Sequence, residues 1–149
     1  RTDSSAASDV YKRQEEYQIW QLWSSNRIGS ALTGIGTILA IWLSMRIALN
    51  TRNNPETNLL TKIISSAFGI VILAFAWINF TTIANTWIAA ARGLSDLKAN
   101  GTEISTTSEG YIAYVGTTEA ASIPLPLGIA FIVVSGLIIL GQIWIPKQN

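Results

Sequence analysis

Three stretches of this chain contain no Asp, Glu, Lys or Arg: residues 28–45 between Arg27 and Arg46, 63–91 between Lys62 and Arg92, and 120–146 between Glu119 and Lys147. A helix rises ~1.5 Å per residue and a bilayer's hydrocarbon core is ~30 Å thick, so about 20 predominantly apolar residues suffice to cross it. The pattern predicts transmembrane helices over residues 28–49, 60–91 and 124–145, the second running beyond the membrane toward Leu97. In a soluble fold, three such helices in so short a chain would leave nothing to bury them. The expected fold class is therefore an all-α integral membrane protein of three transmembrane helices, with a polar extramembrane loop between helices 2 and 3.

The ends of the runs carry interfacial signals. Trp20 and Trp23 precede the first, Trp87 lies late in the second and Trp144 closes the third. An indole is apolar but its N–H needs a partner, so it favours the headgroup level. Pro55, Gly93, Pro124 and Pro126 mark breaks and starts. Residues 15–27 read as an interfacial N-terminal segment, with Ile19, Trp20, Leu22 and Trp23 opposing Glu15, Glu16, Gln18 and Gln21. This segment either turns into the membrane at Ser24-Ser25-Asn26 or simply continues the first helix outward. Domain organisation is then residues 28–149 as the membrane domain, with an outer loop at 94–122 too long to be a plain connector. In that loop, residues 102–107 and 111–117 hold β-formers on either side of Ser108-Glu109-Gly110, which suggests a small β-hairpin resting on some other surface.

Between membrane helices there is no hydrophobic drive, so association rests on close backbone packing and hydrogen bonds. Gly29, Thr33, Gly36, Ala40 and Ser44 form one small-residue face on the first span, with Ser30, Gly34 and Thr37 beside it. The second span offers Ser65, Gly69, Ala76, Asn79, Thr86 and Ala90, with Thr82 adjoining, and Gly128, Ser135, Gly136 and Gly141 punctuate the third. The helix-packing and intramembrane polar positions singled out are Gly29, Gly36, Ala40, Gly69, Ala76, Asn79, Thr82, Thr86 and Gly136. Asn79 reads as an interhelical hydrogen-bonded clasp, or, with Thr82 and Thr86, as the lining of a polar path. No heptad and no internal repeat is visible.

Composition sharpens the exclusions. Of 149 residues, 49% are apolar and 13% charged, and histidine and cysteine are absent. The mean hydropathy is +0.34. Without His or Cys there is no imidazole or thiolate metal site, haem ligand, disulfide or His-dependent nucleophile. No ionisable residue lies well inside a span, which removes the usual proton relays and ion-coupling sites. No phosphate loop or metal-ligand spacing appears. The expectation is a chain that is not an enzyme, with no catalytic residues, no cofactor and no metal. A net charge of +1 gives no footprint for nucleic acid.

Residues 4–14, Ser-Ser-Ala-Ala-Ser-Asp-Val-Tyr-Lys-Arg-Gln, resemble the in-frame translation of a sequencing-library adapter. Residues 1–14 are accordingly expected to be an artefact outside the fold, with authentic N-terminal sequence lost before Glu15. Setting them aside leaves seven basic and seven acidic residues. The Lys and Arg count places Arg46, Arg52, Lys62 and Lys147 on one side against Arg27, Arg92 and Lys98 on the other. By the positive-inside bias the N-terminal side and outer loop lie outside a cell membrane and the C-terminus in the cytoplasm.

The expected partners are the lipid bilayer and other membrane subunits, or further copies of the chain. The reading that follows is a small accessory or structural subunit of a membrane complex. Three spans in this orientation also resemble one class of phage holins, pore-formers that act as oligomers, although the tail after Trp144 has one charge and the outer loop is long for that class. A third reading is the C-terminal part of a transporter or membrane enzyme.

Overall fold

A computed structural model describes the backbone of residues 3–145 and the side chains of residues 14–145. The chain forms α1 (Asp3–Asn53), α2 (Leu59–Ala99), α3 (Thr106–Val115) and α4 (Pro126–Trp144), with no strand among the described residues. Three of these helices, α1, α2 and α4, are long and apolar enough to cross a membrane. The bounds of α1 take in residues 3–14. The expectation that residues 1–14 lie outside the fold concerns a stretch whose side chains, up to residue 13, lie outside the described residues. The chain does not turn at Ser24-Ser25-Asn26, because residues 15–27 belong to the same unbroken helix as those that follow.

Local chemistry accounts for the helix ends. Asn58 caps α2, its Oδ1 accepting from the Thr61 backbone N–H at 2.9 Å. At the other end Gly101 takes φ 80°. Its N–H reaches Lys98 O at 3.1 Å and that of Thr102 reaches Leu97 O at 3.0 Å, a Schellman closure that needs a left-handed residue. Pro126 opens α4, where a missing N–H costs nothing.

The expected β-hairpin is not formed: its Ser108-Glu109-Gly110 turn and residues 111–115 of its second arm lie within α3. Ser105 is the N-cap and accepts from the Ser108 N–H at 3.2 Å, Glu109 sits in the first turn, and Gly116 at φ 71° closes the helix onto Ile112 O. Thr, Ile, Tyr and Val suggest a strand, but strand propensity is weak evidence beside two well-formed caps.

The chain divides into two compact units, Arg1–Ser30 with Ile83–Ser122, and Ala31–Thr82 with Ile123–Asn149. In the second unit α2 is the central helix. Thr51 pairs with Ser65 at 2.8 Å and Asn79 with Thr37 at 3.0 Å, so α1 runs antiparallel to it. Trp144 bonds Ser66 at 2.9 Å. A Cβ placed on Gly69 would meet Ile139, one on Gly136 would meet Leu73, and one on Gly128 would meet Phe80, so α4 is antiparallel to α2 as well. Two apolar clusters fill this bundle, Ile41 with Ala76 and Ile132, and Ala48 with Ile139 and Ile143.

The inward side of α1 in this unit is Gly34, Thr37, Ile41, Ser44, Ala48 and Thr51, steps of three and four residues that make a heptad seam. The same spacing recurs in the first unit at Glu16, Trp20, Trp23, Arg27 and Ser30. The periodicity is hidden in the sequence because its members are by turns acidic, aromatic, basic, small and aliphatic.

Candidate functional site

In the first unit, three segments far apart in sequence meet around α3. Trp20, Trp23, Trp87 and Tyr111 form a ring-on-ring cluster. Trp20 and Trp23 meet edge to face at 5.6 Å, Trp20 and Tyr111 at 5.0 Å, and Trp23 and Trp87 at 5.6 Å. Such pairs contribute ~0.5–1.5 kcal/mol each beyond the area they bury. The Tyr111 hydroxyl donates to Trp87 O at 3.2 Å, and burial pushes the phenol above its usual range. Arg27 places its guanidinium 4.6 Å from the Trp87 ring centroid, a cation–π contact made from the heptad seam.

At the N-terminus of α3 stands Glu16 of α1. Its carboxylate accepts from the Ser105 hydroxyl at 2.5 Å, from the Ser105 N–H at 3.3 Å, and from the Ser108 hydroxyl. Trp20 Nε1 donates to the same Ser108 oxygen at 3.1 Å. A carboxylate here meets both the exposed N–H groups and the positive end of the helix dipole. Burial works to raise the Glu16 pKa, but the hydrogen bonds from Ser105 and Ser108 outweigh it and hold it below the ordinary carboxylate value. Lys98 of α2 pairs with Glu109 at 2.5 Å, an exposed bridge of small worth. Asn85 closes the far end of the loop, its amide exchanging two hydrogen bonds with the backbone of Ala121 at 3.0 and 2.8 Å.

The positions singled out from sequence divide into three sets. Ala76 is fully buried in the cluster of Ile41 and Ile132, Gly69 lies against Ile139, and Gly136 lies against Leu73. Asn79 reaches across to the hydroxyl of Thr37, which itself donates to Thr33 O. Ala40 is half-buried and its carbonyl accepts from Ser44. Thr82 and Thr86 direct their hydroxyls to carbonyls of their own helix, Ile78 and Ile83 respectively. On Gly29 and Gly36 an added Cβ would meet no atom within 4 Å, so the inward side of α1 is the Ser30, Gly34, Thr37 face rather than theirs.

Sequence reading missed Glu16, Ser105 and Ser108 as a group, and Arg27 as a cluster member. The Ser at 105 followed by Gly at 116 was the available sign of a capped helix, and that helix supplies donors for a carboxylate. Within the chain itself Asn79 has Thr37, and the Tyr111 segment rests on tryptophans of α1 and α2. Comparison with known proteins returned no matching family model, no similar curated protein and no similar solved structure.

Proposed function

We propose that this chain is a non-catalytic structural subunit of a membrane assembly, joined to its neighbours along the outward face of α1. The carrying observation is a second stripe on α1 at seam-like spacing, Leu32, Gly36, Leu39 and Leu43, that the chain's own packing leaves exposed. Gly36 lies within it with nothing within 4 Å of a built Cβ. A glycine flanked by leucines lets another helix approach closely, and close approach is what drives association where lipid is the solvent. The outer loop, held by Glu16, Asn85 and the aromatic cluster, offers a preformed surface with Tyr114 76% exposed.

Purification in mild detergent tests the reading. The chain should come down in fixed stoichiometry with other polypeptides. Gly36→Leu should abolish that recovery while leaving the melting of the isolated chain unchanged. Recovery as a homo-oligomer that makes liposomes leak would establish the pore-forming alternative instead.

A further inference from the structure

Among its described residues the second unit has three basic side chains, Arg46, Arg52 and Lys62, and no ion pair among those residues engages them. The acidic residue among that unit's described positions is Glu56, exposed in the connection between α1 and α2. Arg52 and Lys62 belong to one end of the bundle, because Thr51 is bonded to Ser65 and Trp144 to Ser66. What the cations meet instead of carboxylates are indoles. Lys62 Nζ lies 5.7 Å from the Trp144 ring centroid, and the Arg46 guanidinium lies 5.8 Å from that of Trp42. Arg52 has its Nε buried without an acceptor.

Tryptophan favours the headgroup level of a bilayer, and Lys and Arg lay apolar stems along a helix while sending the charge to that same level. The acceptor abundant at that depth is the lipid phosphate. We propose that the end of α1, the start of α2 and the end of α4 hold the phosphate of an anionic phospholipid headgroup. Arg52, itself partly exposed, donates from the terminal N–H groups of its guanidinium, Lys62 binds from beside Trp144, and Arg46 adds charge from the outer side of α1. A zwitterionic lipid brings the same phosphate with its own cation attached, so the site discriminates between the two.

Native mass spectrometry of the full chain, released from micelles doped with equal phosphatidylglycerol and phosphatidylcholine, tests this. Phosphatidylglycerol should be retained in preference. Each cation near an anionic surface contributes about 1 kcal/mol, so Arg52→Gln and Lys62→Gln should each lower that retention roughly fivefold. Arg52→Lys should keep most of the preference, and Arg92→Gln, in the other unit, all of it. If the Gln variants fail to fold, a salt titration of the unaltered protein decides, since the preference must fall as ionic strength rises. Equal retention of the two lipids, a preference insensitive to salt, or displacement of the lipid by millimolar inorganic phosphate would each overturn the assignment.

Discussion

Gly69 and Gly36 are both glycines on membrane helices, yet their surroundings assign them different work. A Cβ on Gly69 would stand 2.7 Å from Ile139 Cγ2, inside contact distance of a branched side chain on the facing helix. Gly69→Ala should therefore destabilise the bundle by about 1–3 kcal/mol through overpacking, read as a lower melting temperature in detergent. Gly36→Ala should leave the same melting curve in place. Asn79 is a separate case, because removing its amide leaves Thr37 with its bond to the Thr33 carbonyl. Asn79→Ala should thus cost only about 0.6–2 kcal/mol, the range of interhelical hydrogen bonds in membranes. That Asn79 would find a hydrogen-bonding partner was legible from its place in an apolar run. Which face of α1 turned inward was not, because Gly29, Thr33 and Gly36 on one face and Ser30, Gly34 and Thr37 on the next offer similarly small side chains one position apart.

At the level of elements, α3 shows how local composition and distant contacts divide the evidence. Its own residues carry the cap at Ser105 and the stop at Gly116, both readable in the chain. The deciding acid, Glu16, lies 89 residues from Ser105, where no local pattern points to it. Loss of the cap hydroxyl in Ser105→Ala should cost about 1 kcal/mol and speed amide hydrogen exchange in α3. Acid should do the same to this contact. The folded Glu16 pKa is lowered, so its contribution is present above the ordinary carboxylate pKa and is lost as pH falls through the lower folded value. Exchange protection of α3 should therefore hold through mildly acid pH and drop only below the usual carboxylate range. Glu16→Gln should remove that transition. If protection is indifferent to both pH and the substitution, Glu16 does not hold α3.

For the whole molecule, the three long apolar runs were legible because a bilayer imposes a length and a chemistry that composition alone satisfies. The heptad seams were not, since in a membrane the inward face is marked by small and polar residues rather than by apolar ones. The long α2 makes a topological prediction: cysteines introduced at Glu56 and at Thr117 should be labelled from opposite sides of the membrane by an impermeant reagent. Labelling of both from one side would mean that α2 does not cross.

The span of sequence bridged by the Glu16, Trp20 and Tyr111 contacts also sets an order of events in synthesis. The Trp20 indole waits for Ser108, 88 residues further along, and the Glu16 carboxylate waits for Ser105. At the ~5–20 residues per second of translation that interval is on the order of 4–18 s. During it the rings of Trp20 and Trp23 have no α3 to pack on, and until α2 is made Trp23 lacks Trp87 as well. The first unit is therefore completed only when α3 arrives. A ribosome stalled before residue 105 should hold these two indoles in a protease-accessible helix, and one stalled well after residue 122 should not.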